Sequence, residues 1–129
     1  MNTKWIKTLL WVASLYDLIL GVFSLLFFKT FYAWLSIELP NHDGYVQFPA
    51  ALVAIFGIGF AMAARAPERN VNIIILGALL KLAYSATVLG HFFLGSIPIL
   101  WVPFAWIDLV FLVLFLAALK TLNRPAAAA

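Results

Sequence analysis

The chain is notable first for what it contains little of. Its 129 residues include no cysteine, and only 10% are Asp, Glu, Lys or Arg. Without cysteine there can be no disulfide, no thiolate metal site and no cysteine nucleophile. The eight basic residues stand singly or in short pairs, so the net charge of +3 forms no basic cluster of the kind that binds nucleic acid. We therefore expect no nucleic-acid partner.

The sequence is instead dominated by apolar residues. At 66% hydrophobic residues, it carries more apolar surface than a soluble domain of this length can bury. Four long apolar runs cover about residues 5–28, 45–64, 71–94 and 98–119. A helix of ~20 residues crosses the ~30 Å hydrocarbon core, and backbone groups in lipid must be hydrogen-bonded internally. The sequence predicts an all-α membrane protein, one domain over residues 1–129 built as a bundle of four transmembrane helices. The sequence does not decide where the fourth helix starts, because Pro98 and Pro103 both suit a first helical turn.

A short segment, Thr30 to Leu39, lies between the first two predicted helices. Phe31, Trp34 and Leu35 would place an apolar face on the membrane surface, so we predict an interfacial segment there. It is either a simple connector or a lid over a cavity that opens outward, with Glu38, His42 and Asp43 at its polar edge. At the other end of the chain, the alanines after Pro125 are expected to form a frayed tail.

The distribution of positive charge predicts the orientation. One side of the predicted bundle holds six basic residues and the other holds Lys29 alone. Basic residues favour the cytoplasmic side of a membrane, so both termini and the short, tight turn predicted at Arg65–Asn70, between the second and third helices, are predicted to be cytoplasmic. The first apolar run is followed by bulky aromatic residues and not by a small-residue cleavage site, so we interpret it as a retained helix. The six basic residues are Lys4, Lys7, Arg65, Arg69, Lys120 and Arg124.

Three charged residues interrupt the apolar runs. A charge at bilayer depth costs roughly 2.5–3.5 kcal/mol unless it is paired or hydrated. At 100° per residue, Asp17, Lys81 and Asp108 each fall on the smaller or more polar face of their helix, so we predict that Lys81 contacts Asp17, Asp108 or both. The contact is either a structural ion pair that fixes helix register, or a functional cluster, because two acids and one base leave a charge of −1. The predicted cluster comprises Asp17, Lys81, Asp108, Tyr84, Ser85 and Ser14.

A strip of small residues follows one face of the second predicted helix: Ala50, Ala54, Gly57, Ala61 and Ala64. Small residues let a neighbouring helix approach closely. If this strip is exposed, it could support a homodimer.

The two histidines, His42 and His91, are the candidates for metal or haem ligands. His91 is rotated by about 80° from the face of Lys81, and His42 falls on a loop. No third ligand has a suitable spacing. We expect no metal and no cofactor.

No P-loop, Gly-x-Ser-x-Gly or His-Glu-x-x-His motif is present. The sequence favours a non-enzymatic module that binds a lipophilic small molecule, such as a lipid or quinone, or a partner membrane subunit. The alternative is a membrane enzyme or proton-coupled carrier in which Asp17 or Asp108 exchanges protons. A ligand would enter from the outer side, beneath the Phe31 to Leu39 segment, unless side chains fill the bundle completely. The predicted entrance residues are Glu38, His42, His91, Trp101 and Phe104.

Several short motifs carry a resemblance to known proteins: Tyr16-Asp-Leu-Ile-Leu-Gly21, Arg65-Ala-Pro-Glu-Arg69, Gly77 through Lys81, and Asp108-Leu-Val-Phe111. Together they resemble small four-span bacterial inner-membrane proteins of the DoxX-like type. The resemblance implies a four-helix bundle in the bacterial inner membrane. Some DoxX-type proteins are accessory subunits linked to quinone-coupled sulfur oxidation, but no motif here carries that role. The chain is more distantly similar to the EXPERA group, which uses acidic residues in a membrane cavity, although it lacks a paired acid–histidine pattern.

Overall fold

Four long helices form most of the protein in a computed structural model that describes residues 2–123. They are α1 (Lys4–Trp34), α2 (Gly44–Arg65), α3 (Val71–Leu94) and α4 (Trp101–Leu122). Each of the four helices in this described range is long and apolar enough to cross a membrane. The predicted fold class, an all-α bundle of four membrane-spanning helices, is confirmed. Arg124 and the predicted alanine tail lie outside the described residues.

Helix α1 is longer than the run predicted from hydropathy. It continues through Lys29 and Thr30 to Trp34, so the first half of the predicted interfacial segment is part of α1. The helix ends where Ser36 takes a left-handed conformation with φ of 53°. The Ser36 N–H donates to the Ala33 carbonyl at 3.2 Å, and the Ile37 N–H donates to the Tyr32 carbonyl at 2.9 Å. This pair of hydrogen bonds is a Schellman motif, which satisfies carbonyls at the end of a helix.

Helix α4 begins at Trp101, between the two prolines that left its start open. Residues 98–100 form a turn in which the Trp101 N–H donates to the Pro98 carbonyl at 3.1 Å. Pro103 lies in the first turn of α4, where its missing N–H breaks no intrahelical hydrogen bond. The start predicted at about Pro98 is therefore three residues early. The predicted tight turn before α3 is present as a single 3₁₀ turn, Pro67–Arg69.

The four helices form two hairpins. Helix α1 packs mainly on α2 (the first hairpin) and α3 packs mainly on α4 (the second hairpin), while fewer contacts join the two hairpins. The Arg65–Asn70 turn lies at one end of the bundle, which we call the turn end. The connections 35–43 and 95–100 lie together at the opposite end, which we call the pocket end.

Two glycines allow the close approach within the first hairpin. A Cβ atom on Gly21 would lie 2.7 Å from the Ala50 carbonyl oxygen, and one on Gly57 would lie 2.8 Å from the Leu18 nitrogen. The small-residue strip of α2 is therefore covered by α1 of the same chain, and Ala50 and Ala64 are buried. The expectation that this strip is exposed for a second copy is wrong.

The apolar core fills the turn end. Its fully buried side chains come from all four helices, so this end leaves little room for a ligand. The largest are Ile6, Leu10, Phe60, Ile74 and Phe115. A smaller buried group, Val88, Val102 and Ala105, joins α3 to α4 near the pocket end.

Candidate functional site

The three charged residues of the spans meet in the interior, as predicted. Lys81 Nζ donates to Asp17 Oδ1 at 2.7 Å and lies 3.1 Å from Asp108 Oδ1. The side chains of Lys81 and Asp17 are 1% and 2% exposed, and that of Asp108 is 10% exposed. We call these three residues the triad. It joins α1, α3 and α4, and therefore links the two hairpins.

The helix positions explain how the triad forms. Asp17 and Lys81 lie near the middle of α1 and α3, whereas Asp108 lies two turns from the start of α4. The long, flexible lysine side chain can place its ammonium between carboxylates at different depths. Lys81 lies on the smaller and more polar face of α3, as predicted, and Gly77, Ala78, Ser85 and Val88 of that face are also buried.

Aromatic rings surround the ammonium on its remaining sides. Lys81 Nζ lies 5.1 Å from the ring centre of Phe111, 5.3 Å from that of Tyr16 and 5.8 Å from that of Phe60. A ring face attracts a cation, and these distances are within the ~6 Å at which the attraction is significant. The positive charge of Lys81 is thus held by two carboxylates and three rings.

The two carboxylates of the triad have fewer hydrogen-bond partners than their oxygens can accept, whereas the Lys81 ammonium is well paired. Within the described residues, Asp17 Oδ2, Asp108 Oδ1 and Tyr16 Oη are buried and have no hydrogen-bond partner. Asp108 Oδ1 is within ion-pair distance of Lys81 but accepts no well-aligned hydrogen bond from it. Buried polar atoms are nearly always hydrogen-bonded, so Asp17 Oδ2 and Tyr16 Oη mark a place where a partner is needed.

A cavity of about 390 Å³ extends from the triad to the pocket end. Asp17, Lys81 and Asp108 line its inner end. Tyr45 and Pro49, in the first two turns of α2, are its most exposed lining residues and mark the side on which it opens. Most of the rest of the lining is aromatic or aliphatic, with aromatic rings from Tyr16, Phe31, Tyr32, Tyr84, Trp101 and Phe104.

Three of the predicted residues form the wall between α3 and α4. Tyr84 Oη donates to the Trp101 carbonyl at 3.0 Å, which ties the middle of α3 to the start of α4. Trp101 also meets Tyr32 of α1 edge to face, at 5.9 Å between ring centres. The ring centres of Phe104 and Tyr16 are 6.5 Å apart. These contacts bring the predicted Tyr84, Trp101 and Phe104 to the same cavity as the triad.

Two predicted members of the cluster have a different role. Ser14 Oγ donates to the Gly57 carbonyl at 2.7 Å, and Ser85 Oγ donates to the Lys81 carbonyl at 2.7 Å. Both hydroxyl groups are thus satisfied by backbone, and neither residue lines the cavity. Ser14 fixes α1 against α2, while Ser85 stays within its own helix.

The remaining predicted entrance residues lie outside the cavity. Glu38 is exposed in the connection after α1, and His91 is exposed in the last turn of α3. His42 is also exposed, and its Nδ1 accepts from the Gly44 N–H at 2.9 Å at the start of α2. The structure does not bring these three residues to the triad.

Sequence reasoning missed several lining residues. Tyr16 is the most important, because its hydroxyl group lacks a partner and its ring contacts Lys81. Its sequence signal is a phenol at mid-span beside Asp17. Tyr32, Tyr45 and Pro49 could not be found this way, because their place in the lining depends on the length of α1 and on how the hairpins meet.

Across residues 2–123, no three His, Cys, Asp or Glu side chains lie close enough together to hold a metal ion. The triad offers two carboxylates, and the Lys81 ammonium occupies the position between them.

Comparison of the chain with protein-family models, with curated proteins and with solved structures finds no match.

Proposed function

We propose that this protein is an integral membrane protein that binds a lipophilic small molecule in the cavity above the triad. The observation that carries the proposal is the cavity itself, which is mostly apolar along its length and ends at the triad, where Asp17 Oδ2 is buried without a hydrogen-bond partner among the described residues. Its volume of about 390 Å³ lies at the lower end of the range for small-molecule sites. Apolar lining gives affinity for a lipophilic molecule, while a few polar groups fix its orientation.

The lining supports binding better than catalysis. Among the described lining residues there is one alcohol of the nucleophilic type, Ser24, but no histidine or cysteine that could activate it or replace it. Lys81 is occupied by its two aspartates, so it is poorly placed to act as a free amine nucleophile. A non-enzymatic binding module requires none of these groups to react.

The proposal is tested by the molecules that co-purify with the protein. We would extract the full chain directly from the membrane into lipid nanodiscs and identify enriched amphiphiles by mass spectrometry. Leu20→Trp places an indole in the cavity that Leu20 lines, whereas Ile19→Trp changes the adjacent residue, which is 67% exposed on the outside of the bundle. We expect a specific amphiphile with the wild type and with Ile19→Trp, and its loss with Leu20→Trp. Equal recovery from both variants would contradict the proposal.

A second function is favoured by one observation: the triad contains one more acid than base. In a proton-coupled carrier, Asp17 or Asp108 would exchange a proton as the substrate binds. Proteoliposomes with an imposed pH gradient distinguish the two functions. Substrate flux that follows the gradient and is lost in Asp108→Asn would favour the carrier, while binding without flux favours the module.

We also propose that the protein resides in a bacterial inner membrane with both termini in the cytoplasm. The asymmetry of six basic residues to one across the two sides of the bundle supports this orientation.

A further inference from the structure

We infer that the ligand of this cavity carries a primary ammonium group, which binds beside Lys81 at the carboxylates of Asp17 and Asp108 that line the inner end of the cavity, while its apolar part lies among the aromatic rings. The inference rests on the proposed function and names the chemical class of its ligand. Three independent features support it: the charge of the site, the unpartnered atoms and the lining.

The charge of the site favours a cation. When all three residues are ionised, Asp17 and Asp108 carry two negative charges and Lys81 one positive charge, and Lys81 is the only basic residue among the described residues that line the cavity. The excess charge of −1 lies in an apolar interior, where an uncompensated charge is costly. A ligand with one positive charge makes the occupied site neutral. A carboxylate or phosphate head would double the excess charge.

The unpartnered atoms favour a hydrogen-bond donor. Both carboxylates are pure acceptors when ionised; Asp17 Oδ2 has no donor among the described residues, and Asp108 Oδ1 has only its ion-pair contact with Lys81 Nζ at 3.1 Å. The Asp17 side chain is 2% exposed, so solvent at the surface does not reach it freely. A primary ammonium has three donors in a compact head and can serve both oxygens. A quaternary ammonium has the same charge but no donor.

The lining favours a cation over a neutral donor. Seven aromatic residues line the cavity, one of them at its opening: Tyr16, Phe31, Tyr32, Tyr45, Tyr84, Trp101 and Phe104. The electron-rich faces of such rings attract ammonium groups, most strongly where water is excluded. A neutral hydroxyl group would satisfy one acceptor but would gain nothing from the rings and would leave the charge of −1 in place.

The test compares four simple amphiphiles with the same alkyl chain: decylamine, decyltrimethylammonium, decanol and decanoate. An alkylamine has the ionisation of a lysine side chain and is protonated at neutral pH. Binding of each radiolabelled probe is measured by equilibrium dialysis on the full chain in phosphatidylcholine nanodiscs, with empty nanodiscs subtracted to remove partition into lipid. We expect saturable binding of decylamine, at least about tenfold weaker binding of the quaternary amine and of decanol, and none of decanoate.

Variants locate the binding. Asp17→Asn and Asp108→Asn each leave one Lys81–Asp pair and a neutral site, so each should retain its fold and lose about tenfold or more in decylamine affinity. Leu20→Trp should abolish binding by filling the cavity, and Ile19→Trp, on the outside of the same helix, should leave it unchanged. Thermal unfolding of every variant confirms that it is folded.

The outcomes distinguish a failure of the ammonium inference from a failure of the proposed binding function. Suppose that decanol or decanoate binds saturably and more tightly than decylamine, and that Leu20→Trp blocks this binding. The ligand would then not be an ammonium compound, but the proposed binding function would stand. Decylamine binding that both asparagine variants retain would also overturn it. Failure of Leu20→Trp to affect any probe would overturn the cavity as a binding site and with it the proposed function.

Discussion

Lys81 occupies an unusual position, because a fully buried lysine is rare unless it is paired. Its ammonium contacts a carboxylate on each of two other helices and lies near three aromatic rings. The pairing itself contributes little net stability, since both partners lost their hydration on folding. Removing one member of the triad lowers the stability much more, because it leaves an uncompensated charge in the interior.

We therefore expect Lys81→Met to lower the free energy of unfolding by about 3–5 kcal/mol. Methionine replaces the aliphatic part of the lysine but leaves Asp17 and Asp108 facing each other unpaired. Adding Asp17→Asn and Asp108→Asn to Lys81→Met removes both unpaired charges and should recover part of the loss. The measurement is reversible denaturation in detergent. A triple variant no more stable than Lys81→Met would show that the triad charges do not set the stability of the interior.

Ser36 carries a backbone strain at the end of α1. Its φ of 53° lies in the left-handed region, which is unfavourable for a residue with a Cβ atom by about 1–2 kcal/mol. We expect Ser36→Gly to be more stable than Ser36→Ala by about 1 kcal/mol, because alanine keeps the strain and glycine removes it. Melting temperatures of the two variants in the same detergent provide the comparison. Equal stability would mean that this turn relaxes without cost.

At the scale of single residues, the sequence identified the triad because the cost of a buried charge demands a partner. It did not reveal the unpartnered Tyr16 hydroxyl group or the backbone hydrogen bonds of Ser14 and Ser85. Polar side chains in a span have several local partners within reach, and only the packed structure decides among them.

The helices show a similar division between what periodicity determines and what it leaves open. The buried faces of α1 and α3 include Asp17 and Lys81, which were predicted to lie on the smaller or more polar faces, because a helix that lies between protein and lipid shows its 3.6-residue period in composition. The end of α1 and the position of α4 along the chain were less well predicted. Lys29 and Thr30 look like the end of a span by hydropathy, yet they continue the helix, since α1 ends only at the Ser36 turn.

The approach of α1 to α2 provides a test at the scale of the helix pair. We expect Gly21→Ala and Gly57→Ala each to lower the free energy of unfolding by about 1–3 kcal/mol, because the new methyl groups would collide with the backbone of the facing helix. Gly90→Ala is the matched control, since a Cβ atom there meets nothing within 4 Å. It should be neutral or slightly stabilising. If all three variants behave alike, close packing does not hold the first hairpin together.

The small-residue strip on α2 also shows a limit of sequence reasoning. Small residues indicate that some helix approaches closely, but they do not identify it. Gly21 faces Ala50 and Ala54, and Gly57 faces Leu18, so the two helices are complementary to each other. That complementarity became visible only when both helices were placed together.

For the whole molecule, the four-helix bundle was predictable, whereas the sequence did not decide between an open cavity and a completely filled bundle. The cavity depends on how the two hairpins pack together. They form a packed core at the turn end but leave space between them at the pocket end. Hydropathy does not distinguish a residue that faces a cavity from one that faces another side chain.

Orientation is the prediction that belongs to the whole molecule. We expect a reporter active only in the cytoplasm to function when fused after residue 129 or inserted in the Arg65–Asn70 turn, and to be inactive within residues 40–44. A reporter active only outside the cytoplasm should give the opposite pattern and serves as the control. Exchanging Arg65 and Arg69 for glutamine should weaken the preference. Cytoplasmic activity from the 40–44 site would reverse the proposed orientation.

The division of the triad between the two hairpins bears on how the protein is assembled during synthesis. Lys81 and Asp108 both belong to the second hairpin, which is therefore electrically balanced before it meets the first, whereas Asp17 has no basic partner until the hairpins join. When the halves are expressed as separate polypeptides divided in the Arg65–Asn70 turn, we expect the second half to persist in the membrane alone. The first half should be degraded rapidly unless the second is co-expressed, and pulse-chase labelling would show this dependence. Lys81 would then act as the signal by which an early-made half of the chain recognises its late-made partner.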